Sequence, residues 1–313
     1  VYFAHWKPHY DAILKAVPNA MFDGPSVAGA NYYAVELANA IFPGGHLAMA
    51  SDHYYFLGSG RAGEKDPAAT RARFLQNSLH AEYRRDYARV GAVLAARGIP
   101  YRIDEMNSCY NGGARNSSDT YASTLWALDG THWWAAHHIL GVNYHTGESV
   151  GRDGGFGAAN YAAFVHRKNG NGFNMRPLAY ALLAFTQAAR GRSLDVKVRA
   201  APDFNFDAYA FRDGDHSLYL TLINKSYGGA ATTAGVSIRI AAGAARGTWE
   251  RMDLVQKDQD IAAKTGVTLG GAPIQPDGTW SANWKKIAGA TSAEVTIQTP
   301  PASATILRFC PAS

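Results

Sequence analysis

The stretch Tyr101-Arg102-Ile103-Asp104-Glu105-Met106-Asn107-Ser108-Cys109-Tyr110-Asn111-Gly112-Gly113 ends a short strand pattern on a glutamate and runs into a polar loop bearing two glycines. A carboxylate at a strand's C-terminal end is how a (β/α)8 barrel presents a catalytic group, because its active site is built there. Paired carboxylates flanking an oxocarbenium-like transition state would make the chemistry glycoside hydrolysis. Glu105 also reads as a surface residue opening an ordinary βα loop, and this segment alone leaves both readings open.

Two further loci follow strand patterns. Asp52-His53-Tyr54-Tyr55 ends one strand, and Asn160-Tyr161 lies in the long loop after another. In a barrel, all three loci would open onto one face. A tyrosine hydroxyl can hold a nearby carboxylate nucleophile ionised and oriented, although a lone loop tyrosine more often packs. Asn111-Gly112-Gly113 reads either as a plain tight turn or as a nest whose N–H groups point at an anion such as a substrate carboxylate. His132, His137, His138 and His145 raise a zinc hypothesis. The first three lack the i, i+4 spacing that puts two ligands on one helix face, and no cysteine lies near. No G-x-S-x-G elbow or phosphate-binding loop motif is present.

The elements that must position these residues alternate over residues 1 to about 192. Trp6, Tyr10, Ile13, Leu14 and Val17 have helical spacing up to Pro18, and Ala20 to Val27 reads as a strand. A helix near Tyr32 to Ile41 is broken by Pro43-Gly44-Gly45, and Leu47 to Phe56 is the next strand. Asp66-Pro67 opens the clearest helix, whose apolar stripe runs through Leu75, Leu79, Tyr83, Tyr87, Val90 and Leu94 to Gly98 and Pro100. Ser118-Asp119 is expected to cap a helix through Trp133-Trp134. A strand from Gly141 to His145, a glycine-rich loop from Thr146 to about Gly172, and a helix from Pro177 to Ala189 follow. Alternation of this kind predicts a parallel sheet. Because the chain opens on a helix, half of a barrel explains it better than an open four-stranded sheet.

From about Ser193 the period changes to two. Tyr209 to Phe211 and Leu218 to Ile223 read as a hairpin about Asp213-Gly214, with further alternation at Val236, Ile238, Ile240, Val295 and Ile297 and a strand from Thr305 to Phe309. The fold class expected is therefore α/β plus all-β: residues 1–192 the second half of a (β/α)8 TIM barrel, residues 193–313 an antiparallel β-sandwich domain.

At 47% hydrophobic and 18% charged the 313 residues are those of a globular chain. No apolar run is long enough for a membrane helix, so no membrane partner is expected. The net charge of +5 is spread along the chain without a basic block, which argues against a nucleic-acid partner. Cys109 and Cys310 form no disulfide framework.

Glu105 through Gly113, followed by Ser118-Asp119-Thr120 and Leu125-Trp126-Ala127-Leu128-Asp129, resembles glycoside hydrolase family 79, which contains β-glucuronidases and heparanase. His53-Tyr54-Tyr55-Phe56-Leu57 with Gly58 and Arg61 resembles the end of that family's sixth barrel strand, and Asn160-Tyr161 its Asn-Tyr after the eighth. The resemblance implies Glu105 as nucleophile of a retaining hydrolase and Tyr55 as its hydrogen-bond donor, with His53 beside them. It implies that N–H groups at Asn111 and Gly112, with the Tyr161 hydroxyl, hold a uronic acid carboxylate. The family's usual glycine at 111 is asparagine here, a departure that bears on the nest's geometry.

The family's acid/base glutamate follows an asparagine at the end of the fourth strand, which would lie before Val1. No Asn-Glu pair ends a strand elsewhere; Glu36, Glu64, Glu82 and Glu148 fall in helices or loops. The chain is therefore expected to be the C-terminal portion of a member, partnered by the missing N-terminal half of the barrel in the same protein or a second chain. Its expected substrate is a glucuronide or glucuronic-acid-containing glycan, with no cofactor or metal and a secreted or periplasmic location. A retaining glycosidase for a neutral sugar and a non-catalytic carbohydrate-binding protein remain as alternative readings.

Overall fold

The computed structural model describes residues 2–28, 32–147, 159–167, 170–201, 204–240, 246–290 and 293–312. Glu148 and much of the loop from Thr146 to Gly172 lie outside the described residues. The chain divides into two compact units. One comprises Val1–Tyr55, His80–Asn107 and Ile139–Tyr144, the other Phe56–Leu79, Ser108–His138 and His145–Ser313.

The first unit is built on β1 (Phe22–Pro25), β2 (Leu47–Tyr55), β3 (Tyr101–Asn107) and β4 (Val142–Tyr144), all parallel and ordered β1-β2-β3-β4. The parallel pairing of β2 with β3 is the one the alternating pattern predicts. Helices Tyr2–Ala16, Tyr32–Ile41 and Gly91–Ala95 contribute to this unit. Leu37, Ile41, Leu47, Ala50, Val90, Leu94 and Ile99 form its core, with Trp6 and Tyr10 packed against them. Ile13 and Val17, expected in the same stripe, are exposed.

β3 carries an extra residue. Ile103 pairs with Asp52 and Glu105 with His53, two steps along β3 for one along β2. Toward β4, Ile103 pairs with Val142 and Met106 with Tyr144, three steps for two. Both neighbours thus see a bulge, the irregularity that re-aims side chains near active sites.

The single long helix expected from Pro67 to Leu94 is three: Pro67–Phe74, Leu79–Arg89 and Gly91–Ala95. Asp66 caps the first, its carboxylate accepting the Ala69 N–H at 2.9 Å, as the sequence indicates. Polar Gln76-Asn77-Ser78 then interrupts the pattern. At the second break the Tyr87 ring lies over Gly91, where a Cβ would collide with it. An apolar stripe records which face is buried, not whether the helix is continuous.

The second unit contains a hairpin of β5 (Phe164–His166) and β6 (Phe173–Met175) and a larger antiparallel sheet. That sheet comprises β7 (Arg192–Leu194), β8 (Phe206–Arg212), β9 (Leu218–Asn224), β11 (Gly247–Gln256), β12 (Val267–Leu269), β13 (Lys285–Lys286) and β15 (Ser303–Pro311). A smaller sheet of β10 (Ala234–Arg239) and β14 (Glu294–Thr299) packs on it through Val295 and Ile297 against Leu218, Leu222, Trp249, Leu307 and Phe309. The β8–β9 hairpin falls where Asp213-Gly214 predicts. The left-handed residue in its loop is His216 (φ 67°), however, with the Asp213 and Asp215 carboxylates accepting the N–H groups of Gly214 and Ser217.

Helix Tyr121–Ala136 is buried on nearly all sides, as expected of a helix apolar around its circumference. Its N-cap is Thr120 rather than Ser118-Asp119. The Ser118 hydroxyl is committed elsewhere: it accepts the Ala114 N–H at 2.9 Å and lies 2.8 Å from the Ser108 hydroxyl.

Candidate active site

In the first unit, β2 and β3 bring three of the proposed site residues together at their C-terminal ends. The Tyr55 hydroxyl donates to Glu105 Oε1 at 2.8 Å. His53 Nδ1 lies 3.7 Å from the same oxygen, and its Nε2 lies 3.9 Å from Asp104 Oδ1. These are ion-pair distances, longer than a hydrogen bond. The imidazole therefore stands between two carboxylates contributed by consecutive residues.

Further acid surrounds the ring. Asp104 accepts a short hydrogen bond from the Ser26 hydroxyl just past β1. Asp52 accepts the His53 N–H at 2.9 Å, and its carboxyl is pushed up to about 7 by burial and, to a smaller degree, by the Asp104 charge. Asp52 Oδ2 and Asp104 Oδ1 are buried without a hydrogen-bond partner among the described residues. Behind them, burial and then the charges of Asp52, Asp104 and Asp86 raise the Tyr101 phenol. Tyr54, beside Tyr55 on β2, donates to Asp86 at 3.1 Å. An arrangement of this kind can hold the Glu105 carboxylate oriented toward an electrophilic carbon.

Asn111, Gly112 and Tyr161 lie in the second unit. Asn111, Gly112 and Gly113 all have left-handed backbones (φ 59°, 81° and 78°), conformations suited to glycine and tolerated by asparagine. Gly112 O accepts the Asn160 N–H at 2.6 Å, and Gly113 O accepts the Asn160 side-chain amide at 2.9 Å. A Cβ on Gly113 would come within 2.9 Å of both Ser118 and the Tyr161 ring. The turn and the Asn160-Tyr161 segment thus form one clamped piece. The Tyr161 hydroxyl lies 3.0 Å from His145 Nδ1, and the tyrosine is only 2% exposed.

The four histidines raised for zinc have separate roles. His132 is buried, stacks on Tyr209 at 5.1 Å, and is held down to about 3 by burial. His137 Nδ1 contacts the Trp133 carbonyl at 2.7 Å, and His138 takes a left-handed backbone beyond the helix. Cys109 and Cys310 are free; burial pushes the Cys109 thiol up to about 11, an unreactive state.

Sequence reasoning passed over Asp104, Ser26 and the pairing of His145 with Tyr161. The Asp104-Glu105 doublet was a visible signal. Regular strand alternation, however, sends its members to opposite faces.

The chain matches no family profile. A curated β-glucuronidase from Aspergillus niger is 30% identical over 113 residues, which are 33% of this chain and 19% of that protein. Among solved structures, a 4-O-α-L-rhamnosyl-β-D-glucuronidase from Fusarium oxysporum 12S superposes with a TM-score of 0.63 at 16% identity, over 91% of this chain and 58% of that one. A family 51 α-L-arabinofuranosidase from Bifidobacterium longum gives 0.62 at 13%, over 96% and 60%. An α-L-arabinofuranosidase from Thermotoga maritima gives 0.55 at 13%, over 84% and 52%. The chain has a mixed α/β fold shared with glycoside hydrolases, and it spans about a fifth of the curated relative and a little over half of these structures.

Proposed function

We propose that this chain is the nucleophile-bearing portion of a retaining glycoside hydrolase that removes β-linked glucuronic acid. Residues 1–192 would be the C-terminal half of a (β/α)8 barrel and residues 193–313 its β-sandwich partner. The observation that carries the reading is the 2.8 Å hydrogen bond from Tyr55 to Glu105 at the C-terminal ends of neighbouring parallel strands. The monotonic order β1-β2-β3-β4 supports a barrel, since doubly wound sheets reverse direction at a switch point.

In this reading Glu105 attacks the anomeric carbon to form a glycosyl ester, while Tyr55 and His53 hold the carboxylate in place. A second carboxyl group, not among the residues assigned to this site, protonates the leaving oxygen and then activates water. Backbone N–H groups at Asn111 and Gly112, with the Tyr161 hydroxyl, recognise the uronic carboxylate. Support comes from the left-handed Asn111-Gly112 turn and its clamping by Asn160, next to Tyr161 in sequence.

The direct test is labelling by a 2-deoxy-2-fluoro-β-glucuronyl fluoride. Fluoride leaves without acid assistance, so the acid/base residue is not needed. Mass spectrometry should find the ester on the Glu105 peptide; an ester on another carboxylate would overturn the assignment. The neutral-sugar reading draws on the fold shared with arabinofuranosidases. Faster labelling by the matching glucosyl or arabinosyl fluoride would favour it.

A further inference from the structure

We propose that Asp104 is a positioning residue beside Glu105 that acts on His53, accepting a hydrogen bond from the imidazole Nε2–H and so setting the tautomer and orientation of the ring that faces Glu105. The inference rests on the reading of Glu105 as nucleophile, but its structural half stands independently of any substrate.

The first observation is the bulge. A regular β3 would turn Asp104 and Glu105 to opposite faces. The extra residue, registered against both β2 and β4, instead lets one imidazole face both carboxylates. The second is the unequal state of the two acids. Glu105 already receives the Tyr55 hydroxyl, and its side chain is 34% exposed. Asp104 is 17% exposed, its Oδ2 is taken by Ser26, and its Oδ1 is buried without a hydrogen bond among the described residues. A buried carboxylate oxygen lacking a donor costs more than one that water reaches. A proton on the ring is therefore worth most at Nε2, where a small rotation would shorten 3.9 Å to a hydrogen bond.

The other groups around the ring do not compete for this proton. Asp52, next to it on β2, already accepts the His53 backbone N–H. Ser26 donates to Asp104 from beyond β1 and so anchors the acceptor. Carboxylates that fix an imidazole's tautomer and orientation in this way recur beside catalytic and metal-bound histidines. A cationic ring faces one acid with each nitrogen, at ion-pair distance. The neutral ring keeps its proton on Nε2, and Asp104 decides that choice.

Long-range ¹H–¹⁵N correlation spectra of the whole chain, recorded across a pH series until the His53 ring nitrogens show the pattern of a neutral imidazole, read the tautomer directly. His53→Gln identifies the resonance. The parent chain should show His53 with the proton on Nε2. Asp104→Leu should transfer it to Nδ1 or average the two, whereas Asp104→Asn, which keeps an acceptor, should retain Nε2–H. If Asp104→Leu does not fold, Ser26→Ala frees the carboxylate from its anchor and should weaken the preference. An Nδ1–H tautomer in the parent chain would overturn the proposal, as would an unchanged spectrum in Asp104→Leu or, where that variant does not fold, in Ser26→Ala. In the fluoride assay, Asp104→Leu should slow labelling of Glu105 about ten-fold or more, the scale of one lost hydrogen bond to a charged group. If the parent is not labelled at Glu105 yet the tautomer responds as stated, the proposed hydrolase reading fails while the Asp104–His53 coupling stands.

Discussion

Two charge clusters in this chain use the same kinds of residue to opposite ends. In the second unit, Asp129 and Asp207 flank Lys225, whose ammonium is fully buried at 2.8 and 2.6 Å from them, and Tyr209 donates to Asp129 at 2.6 Å. Burial works against that ammonium, but the two carboxylates outweigh it and hold its pKa above the ordinary value. In the first unit, Asp52, Asp104 and Glu105 gather around His53, and two buried carboxylate oxygens, one on Asp52 and one on Asp104, lack hydrogen-bond donors among the described residues. The first cluster is compensated and serves the fold. The second leaves buried carboxylate oxygens without donors next to a partly exposed carboxylate, an arrangement that folding alone disfavours and that fits the role proposed for Glu105.

Substitutions in the two clusters should therefore separate activity from stability. The largest effect is expected from Glu105→Gln. It should remove labelling and lower turnover of the active hydrolase by at least about 10⁴-fold, while unfolding free energy stays within about 0.5 kcal/mol of the parent. A comparable loss of stability would place Glu105 with the structural charges.

Lys225→Met should do the converse. It leaves Asp129 and Asp207 facing each other without a cation, which costs about 3–5 kcal/mol when a buried pair loses one partner. Denaturant unfolding measures this, and a loss below about 1 kcal/mol would show that the cluster is dispensable.

Asp52→Asn should sharpen the contrast through pH. The folded state raises Asp52 from 3.8 to about 7, so folding favours its protonated form. The resulting stability is complete below about pH 4 and is lost as pH rises to about 7, a decline of at most about 4 kcal/mol at ~1.4 kcal/mol per pKa unit. The asparagine variant should flatten that decline, as followed by chemical unfolding across the range. An equal slope in parent and variant would refute it.

The smallest change is expected at Tyr161. In an active hydrolase, Tyr161→Phe should narrow the preference for an aryl β-glucuronide over the matching glucoside by about 1.5–3 kcal/mol, the value of a hydrogen bond to a charged group. Parallel kcat/KM measurements on the two substrates decide it. An unchanged ratio would mean that the hydroxyl serves only His145.

Much of this was legible in the chain. Short strand-like runs bounded by glycine and proline located β2 and β3, and alternation about an Asp-Gly turn located the hairpin of β8 and β9, because these patterns are local to the chain. Strand ends at Tyr55 and Glu105 likewise indicated a polar edge. Helix continuity was less legible: Leu79 and Tyr83 fit the stripe begun at Asp66, although the helix breaks at Gln76-Asn77-Ser78. The Thr120 cap was hidden because Ser118 is drawn into a contact with Ser108, ten residues away.

By itself, then, the sequence determined the parallel strands, the β-rich second part and the carboxylate near the C-terminal end of β3, all of which follow from local patterning and turn chemistry. Only the tertiary structure decided what surrounds that carboxylate. The bulge in β3 exists through its registers with β2 and β4, and Ser26 reaches Asp104 across 78 positions. Adjacent strand residues diverge unless pairing forces them together, so the meeting of Asp104 and Glu105 at one imidazole is a property of the folded sheet and not of any segment.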